Sequence, residues 1–191
     1  NPVMILGDAI LGQMKEPVTL TPTAKVPASE GKAWRLEGKG KRKPRIIKSL
    51  FLEDGALAAQ NRHLEAKYAS MAGEVACEQF QLKDADLVVV AYGSIGRIAK
   101  TAIRKLRAKG KKVGLFRPIT LYPFPDAALA KLAKAGKKFL TIEHNLGQMV
   151  DDVRLAIRGF ADSAFFGVYP GDMPAPEDFE EPIVKALRRK A

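Results

Sequence analysis

Leu87-Val88-Val89-Val90-Ala91-Tyr92-Gly93-Ser94-Ile95-Gly96 is the stretch that decides the fold. An unbroken run of valines flanked by Leu87 and Ala91 shows no polar alternation, so it reads as a strand buried on both faces. At Gly93 the period changes. Ile95, Ile98, Ala99, Ala102, Ile103 and Leu106 recur at helical spacing and mark one apolar face, which stops at Gly110. A buried strand feeding a helix through a glycine turn is the front half of a β-α-β unit.

The same alternation continues downstream. Val113 to Phe116 reads as a second strand, and a short helix from Asp126 places Leu129, Leu132 and Ala133 inside before Gly136. Phe139 to Ile142 is a third strand, followed by a helix with Met149, Val150, Val153 and Ile157 on one side. Ala164 to Val168 is a fourth, leading through a Pro/Gly-rich segment, Tyr169 to Pro176, to a last helix. That helix has Glu177, Asp178, Glu180 and Glu181 at its start and Lys185, Arg188, Arg189 and Lys190 at its end, as the helix dipole favours. The implied class is α/β: a three-layer αβα arrangement around a largely parallel, Rossmann-like sheet.

Upstream, Asp54-Gly55 opens a helical pattern whose apolar face is Leu57, Leu64, Tyr68, Met71 and Val75, predicting one long helix that packs on the sheet or a neighbouring domain. Cys77 is read as part of this helix, with Glu78 beside it raising the thiol pKa, so Cys77 is assigned to packing rather than nucleophilic chemistry. Gly73 weakens the helix, by about 1 kcal/mol relative to Ala. From Glu16 to Pro44 no period holds among prolines and glycines, which reads as a linker, with Trp34 predicted to dock. The chain opens on Asn1 and the strand-like Pro2 to Leu6, which suggests a start inside a fold.

A chain of 191 residues, 47% hydrophobic and 28% charged, supports one main core with an appendage. Its apolar runs fall short of the roughly 20 residues a membrane span needs. One cysteine permits neither an intrachain disulfide nor a four-cysteine iron-sulfur cluster, and is consistent with a cytoplasmic setting. The net charge of +11 is concentrated: Lys32 to Lys48 holds eight basic residues against Glu37 alone. This basic run lacks interleaved aromatics and a helical frame, so it reads as a solvated loop or a surface for an acidic partner rather than a nucleic-acid site.

Three motifs fall in order at successive strand ends: Ala91-Tyr92-Gly93-Ser94, then Arg117-Pro118-Ile119-Thr120-Leu121-Tyr122-Pro123-Phe124-Pro125, then Glu143-His144-Asn145-Leu146-Gly147-Gln148-Met149. Together they resemble the alpha subunits of 2-oxoacid:ferredoxin oxidoreductases of the 2-oxoisovalerate or 2-oxoglutarate type, over the C-terminal domain of transketolase type. Pro2 to Met14, with Asp8, is similar to the end of that family's thiamine-binding domain. The resemblance implies residues 1–16 as the tail of the thiamine diphosphate (pyrimidine-binding) domain, 17–48 as a basic linker and 49–191 as the transketolase C-terminal-like domain. It also implies a complex that oxidatively decarboxylates a 2-oxoacid with coenzyme A and ferredoxin. Thiamine diphosphate and Mg would lie mostly outside this chain and iron-sulfur clusters on beta, gamma or delta-type partner subunits. The basic run is no signature of that family, and Tyr169-Pro170-Gly171-Asp172 stands where a more glycine-rich turn is expected.

No residue is assigned a catalytic role or a metal-ligand role, since His144 and His63 are the only histidines and lie on separate elements. Gly93, Ser94 and Gly96 are weak anion-site candidates at a helix start, against a tight-turn reading. Arg117, Glu143, His144, Asn145 and Gln148 are interface candidates, with an Arg117–Glu143 salt bridge preferred over ligand contact and Gly147-Gln148 opening the next helix toward a partner. The alternatives are the same domain type in a transketolase or pyruvate dehydrogenase decarboxylase, or an independent Rossmann-like module binding a nucleotide or anion.

Overall fold

The computed structural model describes residues 3–13, 15, 17–20, 36 and 38–189, with Ile10 described by its backbone alone. The chain separates into two compact units, Asn1–Ala66 and Lys67–Ala191, each described by itself.

The first unit is sparse. A short helix, α1 (Ala9–Gln13), follows Val3, Met4, Ile5 and Leu6, which are more than 80% exposed and form no strand. Strand-like composition there is not enough, because a strand needs a neighbour to pair its backbone and none of the described residues supplies one. Within the basic stretch, Lys48 Nζ reaches Glu53 at 3.0 Å, while Trp34, Lys32 and Arg35 lie outside the described residues. Gly55, at φ +73°, turns the chain into α2 (Ala56–Ser70).

The long helix read from the sequence ends early. A 3-10 turn, Met71–Glu74, follows Ser70, and Val75 is already extended at ψ 126°. α2 buries none of its residues, and Leu57 and Tyr68 stay about half exposed, although the Tyr68 ring meets Tyr122 edge to face at 6.1 Å. Cys77 is therefore not helical. It opens β1 (Cys77–Phe80), which the sequence reading missed. The clip is visible at Ala76, whose carbonyl accepts the N–H groups of Ile119 (3.0 Å) and Thr120 (3.1 Å), holding the strand against the sheet.

The second unit carries the predicted alternation: β2 (Leu87–Val90), α3 (Gly93–Ala108), β3 (Val113–Pro118), α4 (Asp126–Lys134), β4 (Lys138–Glu143), α5 (Met149–Ile157) and β5 (Ser163–Gly167). A 3-10 turn, Pro176–Phe179, leads into α6 (Glu180–Arg188). The sheet order is β1-β3-β2-β4-β5, all pairs parallel except the antiparallel β1–β3 edge.

Burial on both faces of β2 follows from layers on both sides. Leu87 and Val89 join Ile95, Ile103, Phe179 and Ile183 in the core under α3 and α6. Val88 and Val90 join Leu129, Met149, Val153 and Ile157 under α4 and α5. Each fully buried side chain of this size contributes roughly 1.5–3 kcal/mol, so β2 anchors both cores at once. Gly114 in β3 is required by close approach: a Cβ there would sit 2.5 Å from the Gln81 carbonyl oxygen. The fold is the three-layer αβα arrangement expected from the alternation of periods.

Candidate functional site

The strand order places a topological switch at β2. The chain leaves β2 on one side for β3 and returns to the other side for β4, so the loops after β2 and β4 diverge at the carboxyl edge of the sheet, where α/β folds place ligands and contacts. Three of the sequence motifs meet along this edge.

Glu143, the last residue of β4, is wholly buried, and its carboxylate is fully engaged by local donors. Met149 N–H donates to Oε2 and Val150 N–H to Oε1, each at 2.8 Å. Gln148 N–H lies 3.4 Å from both oxygens, and Asn145 Nδ2 donates to Oε2 at 3.1 Å. The first amides of a helix have no partner inside it, so a carboxylate placed against them satisfies those donors and the positive end of the dipole. Glu143 thus caps α5 from the preceding strand. Its expected salt bridge to Arg117 does not form, because these donors occupy both oxygens.

Arg117 turns instead toward β1, where its Nε lies 3.5 Å from Glu78. Glu78 also receives Lys100 of α3, and the Lys100 hydrogen bond, opposed by burial, holds its carboxyl below the usual range. The acid that was read as a neighbour of a helical thiol is the anchor of a three-residue ion cluster. Only the antiparallel β1–β3 register, Glu78 opposite Arg117, makes this pairing visible.

His144 and Asn145 serve different ends. Asn145 Oδ1 accepts the Gly147 N–H at 2.7 Å, closing an Asx turn, while Gly147 takes φ +108°. His144 Nε2 lies 3.1 Å from the Tyr169 carbonyl. A carbonyl only accepts, so Nε2 carries the hydrogen and His144 joins the loops after β4 and β5. Gly171, at φ +103°, turns the Tyr169 loop without further glycines. Gln148 precedes α5, and its N–H is turned inward to Glu143 rather than outward.

Gly93, Ser94 and Gly96 form the first turn of α3. Gly93 has φ +57°, as the tight turn from β2 requires, and Tyr92 offers no side-chain cap. The Gly96 N–H donates to the Tyr92 carbonyl at 2.9 Å and is spent within the helix. A Cβ on Gly96 would lie 3.0 Å from the Ala91 carbonyl oxygen and 3.3 Å from Arg117 Cδ, so this glycine permits close packing of helix on strand. Tyr92, which the sequence reading did not single out, is half-buried beside Glu143. Burial first, then the Glu143 charge, holds its phenol above the ordinary tyrosine range.

Around this polar centre the carboxyl-edge loops expose Ile119, Leu121, Tyr122, Leu146, Tyr169 and Met173. Among the described residues, no three His, Cys, Asp or Glu side chains converge to hold a metal ion, and none of the helices is long and apolar enough to cross a membrane.

The model of the pyruvate:ferredoxin oxidoreductase core domain II matches residues 85–179, the span that contains the switch-point edge. The chain is 41% identical over 157 residues to the ketoisovalerate oxidoreductase subunit VorB of Methanothermobacter marburgensis, covering 82% of this chain and 44% of that protein.

The chain belongs to the 2-oxoacid:ferredoxin oxidoreductase family.

A second family member, the 2-oxoglutarate synthase subunit KorA of Methanocaldococcus jannaschii, is 40% identical over 101 residues, covering 53% of this chain and 27% of that protein. The chain spans less than half the length of these curated relatives. The solved 2-oxoglutarate:ferredoxin oxidoreductase from Magnetococcus marinus, with 2-oxoglutarate, coenzyme A and succinyl-CoA bound, shares the fold at a TM-score of 0.62 and 20% identity, over 72% of this chain and 24% of that one. Within this family frame, the edge described above holds its own loops in place with its most polar groups.

Proposed function

We propose that this chain supplies the transketolase C-terminal-like domain to the alpha subunit of a cytoplasmic 2-oxoacid:ferredoxin oxidoreductase. The complex would release CO2 from a 2-oxoacid, pass electrons to ferredoxin and transfer the acyl group to coenzyme A. Thiamine diphosphate, when bound, supplies the electron sink for decarboxylation, on residues outside those described here. A four-cysteine iron-sulfur cluster does not fit these 191 residues, whose only cysteine is Cys77, so the clusters that carry the electrons would lie elsewhere in the complex.

The observation that carries the reading is the state of the switch-point edge. Its buried carboxylate, Glu143, is consumed by the α5 amides, and the surrounding loops present exposed apolar side chains. A carboxylate so engaged holds a helix start and is a poor general base. Exposed apolar groups around a polar centre are the composition of a subunit contact. Arg117, His144 and Gln148 would then meet a partner subunit, while Glu143 and Asn145 hold the loop that presents them. The first turn of α3 fits a tight turn better than an anion cradle, because the Gly96 amide is already bonded.

For the substrate, 41% identity over 157 residues to a ketoisovalerate oxidoreductase subunit, against 40% over 101 residues to a 2-oxoglutarate synthase subunit, favours a branched-chain 2-oxoacid. The test is co-expression of this chain with the remaining subunits from its own source, purification through this chain, and assay of CoA-dependent viologen reduction. The expected result is a stable complex more active on 2-oxoisovalerate than on 2-oxoglutarate. Failure to co-purify would overturn the interface reading, and the reverse preference would overturn the substrate.

A further inference from the structure

β5 is the last strand of the sheet, and none of the described residues pairs with its outer edge. The Val168 N–H donates inward to the Glu143 carbonyl at 2.7 Å. Backbone groups alternate along a strand, so Ala164 and Phe166 bond to β4 while Phe165 and Gly167 direct N–H and C=O outward. The outward groups of Phe165 and Gly167 have no hydrogen-bond partner among the described residues.

Beside this edge α6 forms a basic wall. Lys185, Arg188 and Arg189 stand against Glu181 alone along a groove floored by Leu140, Ala164 and Phe166. None of the three bases forms an ion pair among the described residues, whereas Glu177 and Glu180, toward α3, are paired with Lys105 and Lys109. The groove shares Ala164, Ala186 and Arg189 with an adjoining cavity of about 270 Å³, whose apolar walls are Phe139, Phe160 and Ala161. Lys137 and Lys138 also line the cavity, and its one acid, Asp162, is taken up by the Ser163 N–H at 2.8 Å and by Arg154.

Each feature selects the occupant. Unpaired edge amides accept an extended segment as a further strand, and the side chains of such a strand alternate, so every second one faces α6. Three bases against one acid call for acids at those positions. A second copy of this face would set bases against bases. A nucleic acid would use the charge but leave the edge amides and the apolar cavity without partners. We propose that the outer edge of β5 receives an extended acidic segment of another polypeptide as an added strand, with its acids facing Lys185, Arg188 and Arg189 and an apolar side chain in the adjoining cavity.

This inference is independent of the proposed function. It is tested on the 191-residue chain with a fluorescein-labelled peptide of about eight residues alternating glutamate and valine, and with its lysine and valine counterpart. By fluorescence anisotropy the acidic peptide is expected to bind with a Kd below about 1 mM, and the basic one at least about tenfold more weakly. Hydrogen exchange is expected to slow in the segment holding Phe165 and Gly167 when the acidic peptide is bound. Lys185→Glu combined with Arg188→Glu is expected to weaken that binding about tenfold or more. If this double variant loses its melting transition by circular dichroism, Lys185→Gln with Arg188→Gln takes its place, and weaker binding is again expected. No binding up to about 1 mM would overturn the proposal, as would equal binding of the two peptides, unchanged exchange at Phe165 and Gly167, or indifference to the substitutions. Tighter binding of an oligothymidylate than of the acidic peptide would also overturn it. So would slowed exchange of these amides in the chain alone that grows with its concentration, which would put a second copy on the edge.

Discussion

The carboxylate of Glu143, at the end of β4, is bonded to the amide of Met149, the first residue of α5, at 2.8 Å. Strand end and helix start are fixed to one another by a buried charge that the helix itself neutralises. The loop between them, residues 144–148, is left to present its side chains at the carboxyl edge.

Glu143→Gln keeps the shape but turns one acceptor into an NH2 group facing the backbone donors at the start of α5. The expected loss of stability is about 2–4 kcal/mol, measured by urea unfolding. A variant as stable as the wild type would show that the capping geometry contributes nothing.

Gly114→Ala and Gly96→Ala should differ in severity. At 114 the added methyl meets backbone at 2.5 Å, between β3 and the chain leaving β1. At 96 it meets the Ala91 carbonyl at 3.0 Å and the flexible end of Arg117. We expect a loss of at least ~3 kcal/mol for the first and about 1–2 kcal/mol for the second, checked by thermal and urea melts.

His144→Ala should separate presentation from stability. His144 makes one bond to the Tyr169 carbonyl, so its removal should change the stability of the chain by no more than ~0.5 kcal/mol. The same variant should weaken capture by partner subunits about tenfold in a pull-down titration. Unchanged capture would place the contact elsewhere on the chain.

Glu78 gives a pH dependence with a definite sign. Its folded pKa is depressed, chiefly by the Lys100 hydrogen bond, so its contribution is present above the ordinary value of 4.5 and is lost as pH falls through the lower folded value. With 28% of its side chain exposed, the contribution is ~1 kcal/mol or less. Lys100→Met should therefore lower the urea midpoint at pH 7 and flatten its decline below pH ~4.5. Parallel acid limbs in the two proteins would remove Glu78 from the account.

The sequence by itself determined the alternating layers of the second unit. Period is a local property, and the valine run of β2, the helical faces of α3 to α6 and the glycines after α3 and α4 are all written within single segments. The edge motifs were legible for the same reason, being short runs at strand ends. What only the tertiary structure decided was pairing. Cys77-Glu78-Gln79-Phe80 has neither an apolar run nor an alternation to declare it a strand, and it became β1 through long-range bonds to β3, which turned Glu78 toward Arg117 and Lys100. Glu143 looked like a partner for Arg117 until the position of the α5 amides was known, since a carboxylate goes to whichever donors folding delivers in the right geometry. Charge, likewise, could be counted along the chain, but that Glu177 and Glu180 would meet Lys105 and Lys109 depended on where α3 packed.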